Sequence, residues 1–176
     1  MDQFPRTTYR NNYFTLIYIA EGTGLQITND LSFQYRKGNL FLITPEDSYS
    51  FTIGTTTQFF FLHFSNQYVQ PKAGHDNDWI QRMEFILQNA SHRPGCILKN
   101  KVDKPMVALL IESIVKEMEQ EQLYHHKIIQ QIVNTLIMVV ARNIALKLPK
   151  KVKENTGRWC WIFFSIYNCI LVTRKN

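Results

Sequence analysis

The chain has 176 residues, a formal net charge of +6 at neutral pH and three cysteines. A chain of this length buries enough apolar surface for one self-supporting core, so no disulfide or metal staple is required. The odd cysteine count and the lack of an apolar stretch in "MDQFPRTTYRNN" exclude a disulfide-rich secreted scaffold and predict a reduced, cytoplasmic protein.

Residues 13–65 read as short strands. "YFTLIYIA" is aromatic and β-branched and ends at the turn "EGTG". In "LQIT", Leu25 and Ile27 alternate with Gln26 and Thr28. The pair Asn29-Asp30 tolerates the left-handed conformation of a tight hairpin. "LSFQYR" sets Leu31, Phe33 and Tyr35 against Ser32, Gln34 and Arg36. "LFLIT", "YSFTI" and "TQFFFLHF" follow, separated by "KGN" and "PEDS". Strands this short, joined by Gly, Asn, Asp and Pro turns, predict an all-β sandwich or barrel. Between residues 75 and 100, Asp78 caps a short helix with Trp79, Met83 and Ile86 on one face, and "GCILKN" reads as one more strand.

At Asp103 the period changes. Asp103 is a predicted N-cap and Pro105 fits a first turn. Val107, Leu110, Ile111, Ile114 and Met118 form one stripe, and Glu117, Glu119 and Glu121 mark the wet end. A second helix is predicted from Gln122 to Leu148, stopped by Pro149. Its segment "IVNTLIMVVARNIA" is apolar nearly all round and must be covered on more than one face. Ile128, Ile132, Thr135, Val139 and Arg142 trace one stripe; Ile129, Val133, Leu136, Val140 and Ile144 trace the next. A single domain that buries both stripes and a dimer that shares one are both open.

The order predicts an α+β chain. Residues 1–100 form an antiparallel β-barrel and 101–148 a helical hairpin for dimerisation. Residues 149–157 form a linker basic through Lys150, Lys151 and Lys153, and 158–176 an apolar tail. The run from Trp159 to Val172 falls short of the roughly 20 residues of a membrane-crossing helix, so it reads as a last strand or an unpacked tail.

The chain carries no G-x-S-x-G elbow, P-loop, dinucleotide glycine fingerprint or H-E-x-x-H, and no catalytic set is assigned. His125 and His126 are helix neighbours pointing about 100° apart and do not chelate from one face. His75, Asp76 and Asp78 occupy a polar loop, and His63 and His92 stand alone. No metal or other cofactor is expected.

"LIYIAEGTGLQI", "YRKGNLFLITPEDSYSF" and "FFFLHFS", followed by "RPGCIL" and the helix pair, resemble the N-terminal cupin-like domain of AraC-type transcription regulators over roughly residues 9–156. The resemblance implies a jelly-roll barrel that binds a small effector, helices that pair subunits, and a DNA-reading domain with two helix-turn-helix motifs. Where metal-binding cupins carry ligands, the nearest positions hold Asn11, Thr15 and Tyr49, and Asn39 stands where the family often has Asp. The chain departs from the family after residue 156: the tail has no helix-turn-helix pattern, which predicts a truncated or frame-shifted regulator without specific DNA binding of its own. Effector candidates are Tyr18, Thr44, Tyr49 and His63, with Phe33 and Phe61 as apolar wall. Aromatic walls with a few polar groups suit a sugar or a small aromatic. The predicted homodimer surface comprises Ile128, Ile132, Leu136, Val139 and Val140. A metal-dependent cupin enzyme, and an interaction protein that inhibits an intact regulator by pairing with it, are the alternatives.

Overall fold

The computed structural model describes residues 3–4, 13–65, 87, 95–146 and 171–175. The strands are β1 (Gln3–Phe4), β2 (Tyr13–Glu21), β3 (Thr23–Thr28), β4 (Leu31–Arg36), β5 (Leu40–Ile43), β6 (Tyr49–Ile53), β7 (Gln58–Ser65) and β8 (Leu171–Lys175). Helices α1 (Asp103–Gln120) and α2 (His125–Ala145) precede β8. Among the described residues the fold is α+β, with two antiparallel sheets ordered β1-β6-β3-β4 and β5-β2-β7-β8. Strand spacing leaves both a sandwich and a barrel open; among the described residues no hydrogen-bonded ladder joins the two sheets, and they pack face to face as open sheets. The physical reason is the chain path: the connections β2–β3, β4–β5, β5–β6 and β6–β7 each carry the chain from one sheet to the other, leaving β4 and β5 as separate sheet edges.

Turn chemistry fixes the register. Asn29 and Asp30 adopt φ of 47° and 65°, and Thr28 pairs with Leu31 across this two-residue loop, the geometry that matches strand twist. A second turn is locked to it. Asp47 is buried; its carboxylate accepts from the Thr44 amide (2.8 Å), the Thr44 hydroxyl (2.8 Å) and Asn29 Nδ2 (2.6 Å). At Gly24 the Thr52 carbonyl and the Tyr35 hydroxyl lie where a Cβ would project, so only glycine lets β6 and Tyr35 approach so closely.

The alternation of β2, β5 and β7 divides the interior into two cores. Ile17, Ile19, Phe41, Ile43, Phe59 and Phe61 meet Tyr35, Tyr49 and Phe51 of the opposite sheet. On the other face Phe14, Leu16, Leu40, Leu42, Phe60 and Leu62 pack with Val107, Ile111 and Ile114 of α1 and Val133, Leu136 and Val140 of α2. The middle sheet is therefore apolar on both faces, as a layer covered on both sides must be.

Residues 95–100 are not the strand predicted for "GCILKN". They run beside β5, where the Ile97 amide donates to the Leu40 carbonyl at 2.8 Å, and Gly95 has φ of 102°. Asp103 does not cap α1 either. It is the first helical residue, and its buried carboxylate accepts from Arg142 and from Asn143 Nδ2 (2.6 Å). Asn143 is fully buried and also accepts from the amides of Lys99 (3.3 Å) and Asn100 (3.4 Å). A side chain expected to serve its own helix thus fastens α1 to α2 and to the segment before it.

Helix α2 has 21 residues, and an 18-residue window of it has a mean hydropathy of 1.4, enough by length and composition to cross a membrane, but it spends much of its apolar surface on the chain's own core. Three residues of the expected dimer surface lie in that core. Leu136, Val139 and Val140 are buried within one chain, because the sheet and α1 cover both stripes at this end of the helix. Ile128 is exposed and Ile132 half-buried. Exposed Met118, Leu123, Tyr124 and Met138 lie on the same two helices and their connecting turn.

In the tail, Leu171–Lys175 forms an edge strand antiparallel to β7. The predicted helix over residues 79–86, the basic linker, Asn11, His75, Asp76, Asp78, His92 and residues 158–170 lie outside the described residues.

Candidate functional site

The space between the sheets holds polar side chains that the strand pattern alone does not mark. In β3 the polar half of the alternation faces inward: Gln26 is 1% exposed and Thr28 is buried, whereas Leu25 and Ile27 are half-buried on the outer face. The register explains this. Gly24, Gln26 and Thr28 pair with Ile53, Phe51 and Tyr49 on one side and with Tyr35, Phe33 and Leu31 on the other, so all nine share one face. The Gln26 amide donates through Nε2 to the Thr28 hydroxyl. Its Oε1 is buried and has no hydrogen-bond partner among the described residues.

The opposite sheet contributes a second polar pair. Thr15 of β2 stands directly across from His63 of β7, and Thr15 Oγ1 lies 3.0 Å from His63 Nδ1. The His63 ring meets Tyr13 edge-on at 4.8 Å and stacks near Phe61 at 6.2 Å. Thr15 is fully buried and His63 half-buried, which places the imidazole at the rim of the interior.

The predicted effector residues separate into three groups. Phe33, Tyr49, Phe61 and His63 sit on the inner faces, with Tyr49 packed on Phe51 at 6.2 Å. Tyr18 lies on the opposite face of β2, in the core shared with the helices, because it is one residue out of phase with Ile17 and Ile19. Burial pushes its phenol pKa up. Thr44 is committed to Asp47 and shapes a turn. Asn39 likewise accepts from the Arg36 amide at 3.0 Å and shapes the β4–β5 turn. Inward-facing Tyr35 gives its hydroxyl to Thr57 at 2.9 Å, and burial raises its pKa. Gln26 and Thr28 were not among the expected site residues. The available signal was the alternation itself, which also fits the opposite face inward.

Among the described residues, no three His, Cys, Asp or Glu side chains gather as a metal would require. His125 and His126 lie with ring centroids 3.9 Å apart, closer than the helical angle suggests. His125 is the first helical residue and its Nδ1 binds the Gln122 carbonyl at 2.8 Å, which folds the ring back along the turn. Cys96 Sγ donates to the Leu98 carbonyl at 3.7 Å.

Burial lowers the His63 pKa below its ordinary 6.5, since desolvation penalises the imidazolium. The unfolded chain therefore binds this proton more readily than the folded one. Stability from the neutral ring is complete above about pH 6.5 and is lost as the pH falls toward the lowered folded value. Urea titrations at about pH 7 and about pH 5 should show a smaller acid loss for His63→Gln than for the native chain. Equal losses would show that His63 is not buried as described.

Comparison with protein-family models and with curated proteins finds no match for this chain. Its functional reading rests on the residues themselves.

Proposed function

We propose that this chain is the effector-sensing and dimerisation unit of an AraC-type transcription regulator, cytoplasmic and non-enzymatic, built on a cupin-like jelly roll. The observation that carries the sensing role is the Gln26 amide. A buried polar group without a partner costs on the order of 1–3 kcal/mol, and folded proteins retain few of them. A residue that holds such a group between aromatic walls is suited to a ligand that completes the hydrogen bond. Tyr49, Phe51 and Phe61 supply the walls, and Thr15 with His63 supplies polar groups on the facing sheet. The repeated crossing of the chain between two antiparallel sheets is consistent with a jelly roll.

The ligand class that suits these walls is a sugar or a small neutral aromatic with at least one hydrogen-bonding group. Pairing of two chains is assigned to the exposed part of the helical hairpin, around Ile128 and Ile132, and not to the buried Leu136, Val139 and Val140. No sequence-specific DNA reading is assigned to the described residues.

The test is a panel of monosaccharides and small aromatic alcohols, read by thermal shift and then calorimetry. A binder that raises the midpoint of the native protein should lose at least about tenfold in affinity in Gln26→Leu, since a removed hydrogen bond in a buried site is worth roughly 1.4 kcal/mol or more. A binder unaffected by Gln26→Leu and by His63→Phe would refute the interior site.

A further inference from the structure

A second recognition surface opens at the β4 edge of the β1-β6-β3-β4 sheet, where inward-facing Gly24 and Tyr35 meet outer-face residues. A groove of about 820 Å³ runs between β3–β4, residues 96–99 and the start of α1. Arg36 from the end of β4, Lys99 from the segment before α1 and Lys104 from the first turn of α1 all line it, together with Thr23, Gln34 and Cys96. Three separate stretches of chain thus bring three cations to one concavity.

Among the described residues, no carboxylate lines the groove. None of the three cations has an ion-pair partner among the described residues: Glu21 pairs with Lys37 at 3.4 Å, Glu112 with Lys116 at 2.9 Å, and Asp103 with Arg142. Asp103, beside Lys104, is sequestered, with its side chain 2% exposed. The N-cap position of α1 is held by Val102, whose side chain has no capping group, and the first-turn carboxylate of Asp103 is engaged by Arg142 and Asn143. Like charges converging in a cleft repel one another and focus a positive potential there. An uncapped helix start adds to it.

From this geometry we infer that the groove binds a small organic phosphate. A phosphate monoester carries about −1.5 to −2 charges at neutral pH, a closer match to three cations than a single carboxylate is. Arg36 supplies a planar fork for two phosphate oxygens, and Lys99 and Lys104 supply point charges. The volume falls within the roughly 300–1,000 Å³ of small-molecule sites and exceeds what a bare phosphate fills. Thr23 and Gln34 offer polar groups to the remainder of the molecule.

The experiment uses the full chain and two probes, glucose 6-phosphate and inorganic phosphate, titrated by calorimetry. Glucose 6-phosphate should bind saturably, one per chain, and more tightly than inorganic phosphate. Arg36→Gln with Lys104→Gln should weaken it by at least about tenfold, the loss expected for charge-assisted contacts. The same variant should keep the native urea midpoint, because neither side chain has an ion-pair partner to lose among the described residues. Gln26→Leu should leave this binding unchanged, which separates the groove from the interior site. Bound ester should also slow alkylation of Cys96, read by mass spectrometry of its peptide. Absence of saturable binding, or binding equal in the double variant, would overturn the assignment. Inorganic phosphate binding as tightly as the ester would overturn its organic part.

Discussion

Replacing Val140 with glutamate should unfold the protein, whereas the same charge at Ile128 should leave it folded and reduce its association. Val140 is fully buried, in a core made of the β5-β2-β7 sheet, α1 and α2. An unpaired carboxylate there costs on the order of 5 kcal/mol, comparable with the lower end of the 5–15 kcal/mol that hold a domain together. Ile128 is 40% exposed near the start of the same helix, where a carboxylate stays hydrated. Circular dichroism and sedimentation separate the two outcomes. A native-like Val140→Glu fold would contradict the packing of α2 described above. A native chain that is already a monomer at micromolar concentration would end the dimer assignment.

The second large effect is expected at Asp103. Its carboxylate accepts from Arg142 and Asn143, and Asn143 in turn holds the backbone of residues 99 and 100. Asp103→Ala leaves the buried Asn143 amide short of an acceptor and Arg142 without its partner. The Arg142 side chain is half exposed and recovers hydration, so the loss falls below that of a fully buried pair. About 2–4 kcal/mol is expected, a fall of roughly 6–12 °C in melting temperature for a domain of this size. Asp103→Asn should recover part of this, because the amide oxygen still accepts from Asn143. An alanine variant as stable as the native chain would remove the clamp from the account.

Much of this fold is legible in the sequence, for identifiable reasons. The Asn29-Asp30 hairpin is written in residues that tolerate positive φ, and both adopt it. β2, β4, β6 and β7 follow from β-branched and aromatic runs between turn residues. What is not legible is which face of an ambiguous strand turns inward. "LQIT" alternates cleanly, and the preference for apolar burial points to Leu25 and Ile27; the register with β4 and β6 turns Gln26 and Thr28 inside instead. Tyr18 lies on the helix side of β2 for a related reason. β2 is apolar on both faces because sheet and helices cover it on opposite sides, and periodicity cannot tell two buried faces apart. Both stripes of α2 are likewise apolar, yet only the three-dimensional arrangement assigns Val133, Leu136 and Val140 to the chain's own core. Asp103 illustrates a local rule overridden by a tertiary bond, since a carboxylate at a helix start can serve its own amides or a neighbouring helix equally well. The groove residues Arg36, Lys99 and Lys104 stand far apart in the chain, and only the fold brings them together.

The interior site depends on one physical statement, that the Gln26 amide is held between the sheets at a cost to the empty protein. The measurement that tests it needs no ligand: the urea midpoint of Gln26→Leu combined with Thr28→Val. This pair replaces both hydrogen-bonding partners with apolar groups of similar shape, a change that is neutral or stabilising when the native polar groups are incompletely satisfied. The account predicts a midpoint equal to or above the native one, with ligand binding lost. A fall of more than about 2 kcal/mol would contradict it, because Gln26 and Thr28 would then be fully used in holding the fold and not kept for a ligand.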